Sequence, residues 1–197
     1  MGTEATSMCQ DDSLCAGLKA IIDRAVHGVQ AIWDTKYTME YWVFILLDTK
    51  NAFKKTNLIE MLWTVCHLWP SGSHFVFNFD HHWSFLIFCN RNGTASFLHS
   101  REGMTQGDPK AMVDYGIVIL LLIKNLKAEY LDITQPWCAD NSGALGTFAN
   151  VESYFNSLEL FDPGRGYYPK PSKSVFIVHP ENIEAVKRFF LCHGFKM

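Results

Sequence analysis

Charge is scarce in this chain: Asp, Glu, Lys and Arg make up 19% of its 197 residues, below the roughly one quarter usual in soluble domains. There is no internal repeat and no low-complexity tract, so neither a repeat array nor a linker-like polymer is indicated. The formal net charge of −3 does not advertise a phosphate-binding surface, because such domains are basic. The longest apolar run, Gly116–Ile123, is far too short to span a bilayer. Met1–Asp12 is polar and acidic, the opposite of a secretory leader, and is expected to be disordered. The six cysteines (Cys9, Cys15, Cys66, Cys89, Cys138, Cys192) include no C-x-x-C pair, so neither a zinc site nor a disulfide framework is indicated. They fit a reducing compartment in which most are buried thiols. No G-x-x-x-x-G-K-[ST] or H-E-x-x-H pattern occurs, and the His81-His82 pair has no carboxylate at ligand spacing. These absences leave a soluble, intracellular chain of the cytoplasm or nucleus as the expectation.

What the chain does have is apolar mass. Hydrophobic residues make up 48% and aromatics 14%, enough for a sizeable core in one domain. We expect that domain over 13–197. The charge is unevenly spread. Up to Asp48 the bases are Lys19, Arg24 and Lys36, against seven acids. From Gly164 onward they are Arg165, Lys170, Lys173, Lys187, Arg188 and Lys196, against Glu181 and Glu184. A polyanion contact should therefore favour the C-terminal third.

Periodicity predicts helices over 13–34, 57–69, 74–83, 109–130, 151–161 and 182–193. Trp42–Leu47 is a continuous apolar run ending in Asp48, typical of a strand buried on both faces. Asn90-Arg91-Asn92-Gly93 joins two strands as a hairpin. A second hairpin is expected over Ile133–Phe148, turning at Ala139-Asp140-Asn141-Ser142. Ser174–His179 reads as a last strand. The predicted class is α+β, a mainly antiparallel sheet covered by helices.

Three segments carry chemistry together. Leu47-Asp48-Thr49-Lys50-Asn51-Ala52-Phe53 puts a carboxylate at the end of a buried strand and an aromatic five residues later. Arg101-Glu102-Gly103-Met104-Thr105-Gln106-Gly107-Asp108-Pro109 is a glycine-rich turn feeding a long helix. Trp137-Cys138-Ala139-Asp140-Asn141 is an acidic tip between two strands. Singly, each has an ordinary reading. Asp48 can cap a turn, Asp140-Asn141 is common turn chemistry, Asp108 suits a helix N-cap, Phe53 can be core and Lys173 a solvated side chain.

In this order and spacing the segments resemble motifs A, B and C of reverse transcriptases, with the non-LTR retrotransposon type the most similar. The resemblance runs from about Leu18 to Phe195. It implies a palm domain with an incomplete fingers region and no thumb. It also implies template-directed nucleotidyl transfer, in which positioning and charge neutralisation do the catalytic work. Asp48, Asp140 and the Thr49 carbonyl would be ligands of Mg²⁺ or Mn²⁺, which favour hard oxygens. Phe53 matches the steric gate beneath the sugar. Gln106 and Gly107 match the residues lining the nucleotide and template pocket. Lys173 matches a lysine near the triphosphate, a candidate general acid for pyrophosphate release. Partners would be an RNA template, a DNA primer and deoxynucleotides.

The chain departs from the pattern at four places. Cys138 stands where an aromatic is usual, two residues before the first motif C aspartate. Asn141 replaces the second aspartate of motif C, keeping an acceptor oxygen and losing the charge. Lys110 stands where a small or apolar residue is common, and Asp114 adds an acid to an apolar helix. The expected function is a retroelement-derived, reverse-transcriptase-like palm with little or no activity of its own. The alternative is a non-catalytic binding or self-association module on the same fold.

Overall fold

Strand β1 (Trp42–Leu47) forms over the expected residues and lies inside a four-stranded antiparallel sheet. The computed structural model describes residues 2–9, 21–39, 41–104, 108, 110–161, 164 and 166–195. The sheet order is β4 (Trp137–Cys138), β5 (Asn141–Thr147), β1, β6 (Val175–Val178). An inner strand needs apolar residues on both faces. Val43, Ile45 and Leu47 are buried on one face and Phe44 on the other, where Leu46 alone stays open. The register pairs Leu47 with Ser142 and Val43 with both Gly146 and Val178.

Helices follow in chain order: α1 (Gly2–Cys9), α2 (Ile21–Lys36), α3 (Ala52–Lys55), α4 (Leu58–Leu68), α5 (Pro70–Asp80), α6 (Ala111–Glu129), α7 (Phe148–Phe161) and α8 (Ile183–Phe190). Helix α6 is buried almost all round, from Ala111 through Leu126, as expected of a helix without a wide polar face. It shares one core with Leu47, Trp137, Phe155 and Phe190. The Asn57 side chain accepts from the Ile59 and Glu60 N–H groups and so starts α4. Helix α4 ends before Pro70, which begins α5 at a position where its missing N–H costs nothing.

Helix α2 is described over Ile21–Lys36, and the first part of the helix expected over 13–34 lies outside the described residues. The N-terminal segment expected to be disordered is helical over Gly2–Cys9. Its Cys9 is buried, and the Glu4 carboxylate accepts from Trp69 Nε1 and Ser71 Oγ, each at 3.1 Å. Polarity had suggested a free tail, but these tertiary contacts tether it. The strand expected over Ile133–Cys138 shortens to Trp137–Cys138. Pro136 has no N–H to donate to a ladder, and only the isolated bridge Thr134–Leu145 precedes it.

Strands β2 (Ser84–Cys89) and β3 (Ala95–Ser100) form a separate two-stranded ribbon, joined through Gly93 at φ 80°. Among the described residues, no helix is long and apolar enough to cross a membrane. The architecture is α+β, with antiparallel sheets packed against helices.

Candidate functional site

The site is assembled at one end of the main sheet. Beyond Leu47 the chain stays extended, and Thr49 makes an isolated antiparallel bridge with Pro169. The Asp48 carbonyl accepts from the Lys170 N–H and the Lys50 N–H donates to the Tyr168 carbonyl, both at 2.8 Å. The Asp48 N–H donates to Ser174 Oγ at 3.2 Å, and that hydroxyl donates to the Lys170 carbonyl at 3.0 Å. Backbone groups alternate sides along a strand. The Thr49 carbonyl therefore faces away from Tyr168–Lys170, toward the β4–β5 tip.

That tip is tighter than the four-residue turn expected. Cys138 pairs with Asn141, leaving a two-residue connection of Ala139 and Asp140. Ala139 has φ 52°, in the left-handed region. A positive φ at the first central residue is what a two-residue hairpin with the twist of its strands requires. Continuing the β1–β5 register past Leu47–Ser142 sets Asp48 opposite Asn141 and Thr49 opposite Asp140. The Thr49 hydroxyl accordingly donates to the Asp140 carbonyl oxygen. The Asn141 amide Nδ2 donates to Asp140 Oδ1 at 3.3 Å, a contact an aspartate there could not make.

Lys173, on a short 3-10 turn (Pro171–Lys173), brings Nζ to 4.0 Å from Asp48 Oδ2. Both groups are open to water, so the attraction is weak. Phe53, on α3, is half-buried, with its ring 4.9 Å from that of Tyr115 on α6. Its backbone carbonyl accepts from the Met104 N–H at 2.6 Å. Gln106 and Gly107 lie outside the described residues. The structure thus brings Asp48, Thr49, Asp140, Asn141 and Lys173 to one end of the sheet, while Phe53 packs on the adjoining helix. A cavity of about 370 Å³ between α2 and the sheet reaches Asn141; Val29, Trp33, Phe44 and Leu46 line it, and its described wall is mainly apolar.

The donor set has the chemistry of a hard-cation site: two carboxylates, a backbone carbonyl and an amide oxygen. Mg²⁺ is commonly held by one or two carboxylates, with waters and substrate phosphates completing its shell, and these residues carry donors of that kind. Among the described residues no cluster of three or more His, Cys, Asp or Glu side chains comes together.

Several contributors carried no assignment from the sequence. Ser174 and the Tyr167–Lys170 segment hold the Asp48 backbone. Tyr167 is buried, with its hydroxyl 2.8 Å from Ser142 Oγ and its ring 5.6 Å from that of Trp137. The one available signal was Pro169, which holds the preceding residue extended. Gly103, at φ 78°, donates its N–H to the Thr56 carbonyl at 3.0 Å. A side-chain carbon there would run into the Lys54 backbone. The loop entering the second motif is thereby clamped to the helix that follows the first.

The two departures on α6 prove to be one feature. Lys110 Nζ lies 2.7 Å from Asp114 Oδ2 and 2.5 Å from Asp80 Oδ2, joining α6 to the end of α5. Burial disfavours the Lys110 ammonium, but its hydrogen bonds to Asp114 and Asp80 more than offset this and hold its pKa above the ordinary lysine value.

An antiparallel sheet backed by a buried helix, with an acidic hairpin tip beside a strand-end aspartate, defines the reverse-transcriptase-like palm fold. Solved structures bear this out. Telomerase from Candida albicans, in complex with a fragment of telomeric RNA, superposes with a TM-score of 0.70 over 91% of this chain and 34% of its own, at 8% identity. Apo telomerase from Candida tropicalis gives 0.69 over 91% of this chain and 35% of its own, at 11% identity. A form of that enzyme truncated from its C-terminal domain gives 0.66 over 89% and 38%, at 14% identity. The chain therefore spans little more than a third of these proteins, and the likeness is one of fold. No protein-family model matches the sequence, nor does any curated protein.

Proposed function

We propose that this chain is a retroelement-derived, reverse-transcriptase-like palm of the non-LTR type, built for RNA-templated addition of deoxynucleotides to a primer 3′-hydroxyl and weak in that reaction. The observation that carries the reading is the register of β1 against β5, with the Thr49–Asp140 link beyond it. Two carboxylate-bearing segments converge there, as in-line phosphoryl transfer requires.

In this reading Asp48, Asp140 and the Thr49 carbonyl hold Mg²⁺ or Mn²⁺. Asn141 is a weak additional ligand through its oxygen. The metal, when bound, supplies the charge neutralisation that phosphoryl displacement needs. The primer 3′-oxygen, its proton passing to water, would form the new bond to the α-phosphorus as the bond from that phosphorus to the β-phosphate oxygen breaks, and pyrophosphate would leave with a proton given by Lys173. Phe53 stacks beneath the incoming sugar and disfavours a ribose 2′-hydroxyl. Gln106 and Gly107 line the base and template side. Asn141 weakens the reaction because it withdraws one negative charge from the metal site.

The same amide supports a second reading, a non-catalytic module that keeps the palm fold. The Asn141–Asp140 contact at 3.3 Å satisfies the tip without a cation. Primer extension on an RNA template, with Mg²⁺ or Mn²⁺, separates the two. Extension that is lost in Asp48→Ala and raised in Asn141→Asp is the expected result for the enzyme. No extension even in Asn141→Asp favours the module.

A further inference from the structure

Positive charge gathers along the seam between the first motif and the segment from Gly164 to Ser174. Two stretches more than a hundred residues apart in sequence are stitched together there. Asn57 Nδ2 donates to the Gly164 carbonyl at 3.0 Å. The Lys50 N–H donates to the Tyr168 carbonyl and the Lys170 N–H to the Asp48 carbonyl, both at 2.8 Å. Gly166 approaches the Lys55 carbonyl so closely that a side-chain carbon would run into it. The seam brings Lys50, Lys54 and Lys55 beside Lys170 and Lys173, and Asp48 is the one acid among the described residues of the two stretches. Lys55 Nζ lies 4.6 Å from the centre of the Tyr168 ring, and Lys173 Nζ 4.0 Å from Asp48 Oδ2. Among the described residues no ion pair joins Lys50, Lys54 or Lys170 to an acid.

The sequence pointed a polyanion toward the C-terminal third, but the fold divides the bases found there. On α8, Lys187 is paired with Glu184 at 2.7 Å. Lys170 and Lys173 instead join the lysines of the first motif. The resemblance to reverse transcriptases gives Lys50, Lys55 and Lys170 no role. Several cations beside one carboxylate make a local positive field in a chain of net charge −3, and such a field concentrates anions. Lysine binds phosphate as a compact point charge. Lys50 is exposed, and Lys55 and Lys170 are half-buried, so an anion reaches them without opening the core. The cations gather around one ring and one strand end. That suits an anion with several charges on a few atoms better than a nucleic-acid strand, which spaces its charges one per nucleotide along a groove.

We propose that Lys50, Lys55 and Lys170 form a polyphosphate seat, which holds pyrophosphate or the triphosphate of a nucleotide without needing a metal ion. The ammonium groups meet the phosphate oxygens, and recognition stops there, so the seat does not read base or sugar. Only the source of the phosphate rests on the polymerase reading, in which a triphosphate enters and pyrophosphate leaves beside Asp48. The seat itself rests on the seam, and it serves a palm that has lost its chemistry as well as one that keeps it.

The test is titration calorimetry of the full chain with inorganic tripolyphosphate, in EDTA so that no divalent ion contributes, at about 50 mM salt, where surface charge is only partly screened. Binding is expected, and deoxyadenosine triphosphate should bind as tripolyphosphate does. Lys50→Gln/Lys170→Gln, and independently Lys55→Gln, should weaken it by roughly tenfold or more, the worth of a hydrogen bond to a charged group, with unchanged far-ultraviolet circular dichroism. Lys187→Gln/Arg188→Gln on α8 should leave it intact. A chain that takes up no tripolyphosphate at this salt overturns the proposal, as does binding that survives both lysine variants or is lost equally in the α8 variant. So does a single-stranded oligonucleotide of about 12 nucleotides that binds through the same lysines where tripolyphosphate does not, which would assign the seam to a nucleic-acid backbone. Absence of primer extension would sink the polymerase reading and leave this result standing, because neither metal nor chemistry enters the titration.

Discussion

The Thr49 hydroxyl donates to the main-chain carbonyl of Asp140, tying the end of one strand to the tip of the neighbouring hairpin. The link fixes the spacing between the two acidic segments without using either carboxylate. Thr49→Val keeps the shape and removes the donor. The expected loss is about 1 kcal/mol, that of one hydrogen bond, read from urea unfolding. A metal-dependent rise in melting temperature, if the wild-type chain has one, should shrink in the variant. Unchanged stability and unchanged metal response would mean that the tip is held by the sheet alone.

The salt link on α6 makes a second, sharper expectation. Asp114 is 2% exposed and its carboxylate lies 2.7 Å from the Lys110 ammonium. Lys110→Met leaves a buried carboxyl without its partner, and removing one member of such a pair costs about 3–5 kcal/mol. Lys110→Met combined with Asp114→Leu should recover most of the loss, because apolar residues of similar size replace buried pairs well. The sign with pH follows from the raised Lys110 pKa. The link's stabilisation is complete below the unfolded lysine value of about 10.4 and is lost as pH rises through the higher folded value. Denaturation midpoints of wild type and the Lys110→Met variant should therefore converge in strong alkali.

The two Lys110 neighbours also show where sequence reading stopped. The strand Trp42–Leu47, the ribbon turn at Asn90–Gly93 and the long helix through Ile123 were legible, because apolar runs and glycine turns are local signals. The ordering of Asp48, the second motif and Asp140 was legible for the same reason. What was not legible is tertiary. Lys110 and Asp114 looked like two unrelated anomalies until the fold brought Lys110 to both Asp114 and Asp80 of α5. Gly2–Cys9 looked like a free tail because its tethers, Trp69 and Ser71, are remote in sequence. The hairpin tip was read two residues too wide, since the Cys138–Asn141 pairing of β4 with β5 decides which residues remain unpaired.

Two glycines give opposite expectations for the same substitution. Gly103→Ala puts a side chain at φ 78° and drives it into the Lys54 backbone. The conformation alone costs about 1–3 kcal/mol, and the collision adds to it. Gly28, inside α2, has open space around its Cα, so Gly28→Ala should stabilise by about 0.5–1 kcal/mol, the helix preference of alanine over glycine. Thermal melts of the two variants should move in opposite directions. A Gly103→Ala chain as stable as wild type would show that the clamp between Phe53 and Met104 is dispensable.

Asn141→Asp bears most directly on the site. In the wild-type chain the amide nitrogen donates to Asp140 Oδ1 at 3.3 Å, and Thr49, next to Asp48, is tied to the Asp140 carbonyl. Replacing the amide by a carboxylate removes that donor and crowds a third negative charge among the first two. Without a divalent ion the variant should be less stable than wild type by about 1 kcal/mol, the loss of a hydrogen bond with added like-charge repulsion. With Mg²⁺ or Mn²⁺ the order should reverse, because hard oxygen anions are what such ions select and binding to the folded state alone raises its stability by mass action. The measurement is the melting temperature of both chains against metal concentration. Curves that cross would assign a cation site to this end of the sheet, one that the asparagine has weakened. Parallel curves would instead mean that Asp48 and Asp140 do not share an ion, and would favour the non-catalytic reading of the palm.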